Sequence, residues 1–158
     1  MSKGLVLIEL VALMGLLIAL GVAGWYLLNP LELRARENDS LRLADLAILT
    51  QAINMSKPLC NGQSDCQGQS NMVIDGYRKS NGDGWVKVDL TAQKSNYLPI
   101  LPVDPVNTDK FNYSFESDSV GWEINATLES DMHQSKMKND GGDNDNQYEV
   151  GTNLTLIN

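Results

Sequence analysis

Glu9 is the single charged residue in a run of 24 residues, Leu5 to Leu28, that is otherwise apolar or glycine. A carboxylate inside a membrane-length segment costs a few kcal/mol unless a cation or donor meets it, so its type and place demand a partner. Two other sets of side chains carry chemistry. Cys60 and Cys66 flank Asn61-Gly62-Gln63-Ser64-Asp65. Nothing else in the chain completes a zinc site around them, and their spacing departs from the two-residue spacing of redox-active pairs, which leaves a disulfide as the simple reading. Closing so short a loop stabilises by about 2 kcal/mol in the chain-entropy account. Asp140, Asp143 and Asp145 lie in Asn139-Asp140-Gly141-Gly142-Asp143-Asn144-Asp145-Asn146. They are hard oxygen donors of the kind calcium collects in sets of about six to eight, on a chain loosened by two glycines. The spacing is not that of an EF-hand, and a merely solvated acidic loop is the competing reading.

Catalytic constellations are not evident, and a non-enzymatic protein is expected. The one histidine, His133, sits in the polar string Ser130-Asp131-Met132-His133-Gln134, which predicts a solvent-exposed residue. No serine or cysteine occupies a recognised nucleophile setting, and no glycine-rich loop suits a phosphate. Net charge is -8 overall, and residues 57–158 hold 8 Lys and Arg against 15 Asp and Glu. That balance repels phosphate backbones, so direct nucleic-acid binding is not expected.

Glu9 must be positioned by a helix. At about 1.5 Å rise per residue, the apolar run spans roughly 36 Å, enough to cross a hydrocarbon core of about 30 Å with tilt. A cleaved secretory signal competes through the small residues Gly21-Val22-Ala23-Gly24, but the run exceeds a signal core in length and carries an acid. Lys3 ahead of the span favours an inside amino terminus, and Trp25 and Tyr26 suit the outer headgroup region. Beyond the membrane the helical period continues. Leu41, Ala44, Ile48, Ala52 and Met55, widened by Leu46, Leu49 and Ile53, predict an apolar packing stripe, with Arg42, Asp45 and Gln51 off it. Pro30 interrupts the backbone ladder and predicts a bend or brief break, and the helix is expected to end near Met55, before Lys57-Pro58.

The string Lys3-Gly4-Leu5-Val6-Leu7-Ile8-Glu9-Leu10 resembles the processing site of type IV prepilins and pseudopilins. The resemblance implies that a prepilin peptidase cuts after Gly4, removes residues 1–4 as a leader and methylates the new amino terminus at Leu5, where the family usually has phenylalanine. Glu9 then becomes the fifth residue of the mature chain, the family's position for its glutamate. Its implied role is to neutralise the Leu5 amine of another subunit during assembly. The implied partners are identical or related pilin subunits in a helical homopolymer, a membrane assembly platform and, before assembly, the lipid bilayer. The implied location is the cytoplasmic membrane, single-pass with the amino terminus inside, and afterwards a cell-surface filament. A major pseudopilin of a type II-like secretion system is the alternative within the family. A permanently anchored single-span binding protein is the alternative outside it. Some major pseudopilins bind calcium in carboxy-terminal loops, which adds to the reading of Asp140, Asp143 and Asp145.

The chain divides on this reading into a leader (1–4), a transmembrane and assembly helix (5–28), an amphipathic outer helix half (29–56) and a globular head (57–158). In the head, Trp85–Leu90, Phe111–Phe115 and Trp122–Leu128 alternate polar and apolar residues and predict antiparallel strands, with Tyr148–Val150 or Leu154–Ile157 as a last edge strand. Asp83, in Asn81-Gly82-Asp83-Gly84, predicts a hairpin turn. Leu98–Asn107, with three prolines, predicts a rigid extended connection and resembles the Asp-Pro stretch of pilin-like proteins. The expected fold is α+β and pilin-like: a long amino-terminal helix packed against a three- to four-stranded antiparallel sheet.

Overall fold

The computed structural model describes residues 3–56, 66–91 and 98–157. The chain forms two compact units, residues 1–34 and 35–158.

In the first unit, α1 (Lys3–Leu28) has no polar stripe. Its described side chains from Leu7 to Tyr26 lie at the surface, apart from a half-buried Gly24. A helix apolar on all sides is stable only where something other than water surrounds it. Among the described helices it supplies the one segment long and apolar enough to cross a membrane. α2 (Pro30–Ser56) starts after a single residue, Asn29. Asn29 sits at φ 38°, a left-handed conformation that asparagine tolerates better than most residues. Its N–H still donates to the Trp25 carbonyl at 3.1 Å, and its Oδ1 accepts the Glu32 N–H at 3.4 Å. Pro30 then takes the first helical position, where its missing N–H removes no helical bond. The residue that leaves the helix is therefore Asn29, not the proline.

In the second unit, a four-stranded antiparallel sheet runs in the order β1 (Gln67–Gln69), β2 (Tyr113–Ser117), β3 (Trp122–Ala126) and β4 (Tyr148–Gly151). The register pairs Phe115 with Ile124 and Ile124 with Val150, which puts Tyr113, Phe115, Trp122, Ile124 and Ala126 on one face. They share a core with Leu46, Leu49, Ala52 and Ile53 of α2 and with Trp85, Val86, Val88, Leu90 and Leu101. The Trp85 and Tyr113 rings meet at 6.0 Å between centroids, tilted by 43°. The architecture is α+β, a long apolar amino-terminal helix followed by a helix-and-sheet head.

Several expectations are corrected. Trp85–Leu90 is not a strand: apart from one bridge between Asn81 and Asp89 it has no ladder partner among the described residues, and Trp85 and Val86 are both fully buried. Its apolar side chains fill the core from an irregular segment, with Trp85 Nε1 donating to the Pro102 carbonyl at 3.0 Å. The first strand is instead Gln67-Gly68-Gln69, whose central glycine passes so close to Trp85 that a Cβ would collide with the Trp85 carbonyl oxygen. The packing stripe of α2 is also rotated. Asp39, Arg42, Leu46, Leu49, Ala52 and Ile53 are buried, whereas Leu41, Ala44, Ile48 and Met55 are exposed. Of the two segments expected as a last edge strand, Tyr148–Gly151 is the strand and Leu154–Ile157 is a tail. Asn81–Gly84 forms a turn, with Asn81 Nδ2 donating to Asp83 Oδ2 at 2.9 Å and Gly82 at φ 92°, but it joins no pair of strands among the described residues and is not the hairpin turn expected.

Candidate functional site

Gly4 and Leu5 lie at the start of α1, and Glu9 is exposed farther along it. A Cβ added at Gly15, Gly21 or Gly24 would meet nothing within 4 Å. These glycines are therefore not required by contacts within the subunit, and they leave shallow places on an otherwise bulky apolar cylinder. Such places let another helix approach closely in lipid, where small residues set packing distance.

A second site, missed in the sequence, joins α2 to the head. Arg42 is fully buried. Its Nε donates to Asp104 Oδ2 at 2.6 Å and its Nη2 to Asp104 Oδ1 at 3.0 Å. Its Nη1 donates to Asp39 Oδ1 at 2.9 Å and lies 2.6 Å from Glu129 Oε1. The guanidinium also stands 5.0 Å from the Phe111 ring centroid, a cation–π distance. Three carboxylates around one buried cation leave negative charge over, and backbone amides meet it. Asp39 accepts the N–H of Glu129 and of Ser130, each at 2.9 Å, and the Ser130 hydroxyl at 2.6 Å. Asp104 Oδ1 accepts the N–H of Val106 at 2.8 Å and of Asn107 at 3.2 Å.

These contacts decide the electrostatics. Burial works against the Asp39 carboxylate, but the Ser130 hydroxyl, the two amides and Arg42 outweigh it and hold its pKa below the usual aspartate value. Burial likewise works against the Arg42 cation, and Asp104 and Glu129 reverse the effect and raise its pKa. One helical turn on, Tyr113 donates its hydroxyl to Asp45 Oδ2 at 2.9 Å, and burial pushes the pKa of both groups up. His133, expected at the surface, is buried: its Nδ1 lies 3.1 Å from Ser130 Oγ and 3.3 Å from Asp39 Oδ2. The polar neighbours that suggested exposure are the ones that pack it against α2. The Pro-rich connection carries the receiving end of the clamp, Asp104, and is itself fixed by Arg78, whose Nε donates to the Leu101 carbonyl at 2.9 Å.

The three aspartates named for calcium lie in the acidic loop on either side of a bend at Gly141 and Gly142. Asp140 uses both oxygens on backbone, accepting the Gly142 N–H at 3.0 Å and the Glu149 N–H at 2.9 Å, while Asp143 and Asp145 are exposed. Among the described residues no three His, Cys, Asp or Glu side chains gather into a metal-holding group. The loop's carboxylates are spread by its turns, one serving as a bracket for the chain. Cys66 is disulfide-bonded, and Cys60 lies outside the described residues.

No family model, no curated protein and no solved structure matches this chain.

Proposed function

We propose that this chain is a non-enzymatic structural subunit of a type IV pilus-like filament, processed after Gly4 and assembled through α1. The observation that carries the reading is α1 itself. It is an all-round apolar helix with one carboxylate, Glu9, placed five residues beyond a Lys-Gly pair. In a low-dielectric bundle that carboxylate requires a cation, and the amine freed at Leu5 of a staggered neighbour provides one. A contact between the start of one helix and a farther point on the next is heterologous, so repetition builds an open helical polymer. The exposed glycine positions of α1 support close packing of such helices. The clamp at Arg42 supports the same reading only within the head, where it fixes α2 against the sheet side of the domain. Before assembly the subunit resides in the cytoplasmic membrane with its amino terminus inside.

Mass spectrometry of the protein purified from its own membrane tests this. A mature amino terminus at Leu5, methylated or not, is expected; an intact Met1, or cleavage after Ala23, would overturn the proposal. Electron microscopy of cells then separates long surface pili from a secretion filament that forms only on overproduction.

A further inference from the structure

The outer face of the sheet buries a second polar cluster that neither the clamp nor the assembly helix uses. The β3–β4 register pairs Asn125 with Glu149 and Glu123 with Gly151, so Glu123, Asn125 and Glu149 project from the face opposite the core. On an antiparallel sheet that face is ordinarily wet. Here Glu123, Asn125 and Glu149 are at most 2% exposed. The cover consists of the 140–147 loop and the 152–157 tail, and backbone amides tie both to the carboxyls beneath. Glu123 Oε2 accepts the N–H of Leu156 at 2.7 Å and of Ile157 at 3.0 Å. Glu149 Oε2 accepts the Asn144 N–H at 3.1 Å. Gly142 lies so close over Glu149 that a Cβ would collide with its carboxyl group.

Two oxygens of these side chains are left over. Glu123 Oε1 is buried without a donor, as is Asn125 Oδ1 beside it on the strand. Glu123 and Glu149 meet diagonally across the β3–β4 ladder on one buried face, where two ionised carboxylates are both acceptors and cannot bond to each other. A proton on one of them turns the contact into a charge-assisted O–H···O bond and satisfies the orphaned carboxyl oxygen.

We propose that Glu123 and Glu149 share one proton and so form a latch, which straps the 140–147 loop and the 152–157 tail onto the outer face of the sheet and loosens when that proton is lost. The charged surroundings favour retention of the proton. Glu116 of β2 lies directly across the ladder from Glu123, and Asp140 reaches in from the loop. The remaining charges on the packed elements, Lys136 of α3 (Gln134–Met137), Lys138 at its end, and Asp143 and Asp145 of the loop, are solvent-exposed, and the 152–157 tail carries none. Burial foremost, then Glu123 and Asp140, push Glu149 up to about 7 against the opposing Asn144 amide. The tail's Ile157 also walls a groove of about 270 Å³ lined by Gln69, Met72, Ser114 and Glu116, so release of the strap opens one side of that groove.

Hydrogen exchange on the full-length protein in detergent micelles, with EDTA present to keep divalent cations from replacing the proton, tests the latch. Opening returns Glu149 to its ordinary affinity for protons, so protection factors at Leu156 and Ile157 should fall about 10-fold per pH unit between pH 5 and 7, then level off. Glu149→Gln keeps an N–H donor toward Glu123 without a proton to lose, and its protection should stay flat across that window. A flat wild type, or a variant that falls as the wild type does, would overturn the proposal. Should Glu149→Gln fail to fold, the carboxyl ¹³C titration of Glu149 in the wild type decides: a midpoint above pH 6 is expected, and one near 4.5 sinks the latch.

Discussion

Arg42 and Asp104, 62 residues apart, form a two-pronged ion pair with both side chains fully withdrawn from water. The geometry is the fork-to-fork arrangement that only arginine provides, and it binds the middle of α2 to the Pro-rich connection. A buried pair of this kind adds little net stability over a well-packed apolar substitute, but removing one partner strands the other. Its consequence is specificity of position: α2 has one rotation and one height at which Arg42 meets Asp39, Asp104 and Glu129 together.

Replacing Arg42 with methionine should therefore destabilise the head by about 3–5 kcal/mol, because Asp39 and Asp104 remain buried without their cation. Arg42→Lys should recover only part of this, since an ammonium cannot serve Asp104 with two parallel donors. Urea unfolding of both variants measures the difference. A loss below about 1 kcal/mol in Arg42→Met would show that the carboxylates find other partners.

The two pKa shifts of opposite sign predict a stability profile with two slopes. Asp39 is held below its ordinary 3.8, so the folded state binds its proton less readily than the unfolded chain does. Its contribution is present above about pH 4 and lost as pH falls through the lower folded value. Glu149 is raised from 4.5 to about 7, so its contribution is complete below pH 4.5 and declines by at most about 3 kcal/mol as pH rises to 7. Thermal melting from pH 2 to 9 should show both limbs. Asp39→Asn should flatten the acid limb, and Glu149→Gln the neutral one.

Gly68 occupies the middle of β1 because the Trp85 backbone lies against it, with no room for a Cβ. Gly68→Ala must push β1 from β2 or displace Trp85, the largest fully buried side chain. The expected cost is about 2–3 kcal/mol, within the range for overpacking, with a red shift of tryptophan emission as Trp85 moves toward water. Unchanged stability and emission would show that β1 is free to shift.

What the chain made legible follows from how local each determinant is. The apolar helix and strands β2 to β4 are written in composition and short periodicities, and they stand within a few residues of expectation. Arg42 and Asp39 were not legible, because a binary polar pattern assigns charged residues to water. Their burial depends on Asp104 and Ser130, which only the fold brings near. The same reasoning placed His133 outside. Trp85–Leu90 has the alternation of a strand, but a strand also needs a ladder partner, and β2 pairs with β1 and β3. β1 itself, Gln-Gly-Gln, carries no propensity signal at all. Its cue was the glycine, which reads as a close approach only once Trp85 is in view. The Glu123–Glu149 contact was hidden for a similar reason: alternation along β3 implied a wet outer face, and the tail that covers it lies some thirty residues away.

The proposed assembly role of Glu9 separates from the proposed processing in a single variant. The proposed cut lies five residues before Glu9, so Glu9→Ala should still yield a mature chain beginning at Leu5. Removing the carboxylate lowers the cost of holding the monomer in lipid, so membrane levels of the variant should equal or exceed those of the wild type. What it loses is the counter-charge for the Leu5 amine of a neighbour, and an unpaired amine in an apolar bundle is strongly unfavourable. Filaments counted by electron microscopy should therefore fall to near zero while processed subunit accumulates in the membrane. Glu9→Gln should behave alike, since an amide fills the same volume without the charge. Wild-type numbers of filaments from either variant would show that the carboxylate serves the single helix and not the polymer.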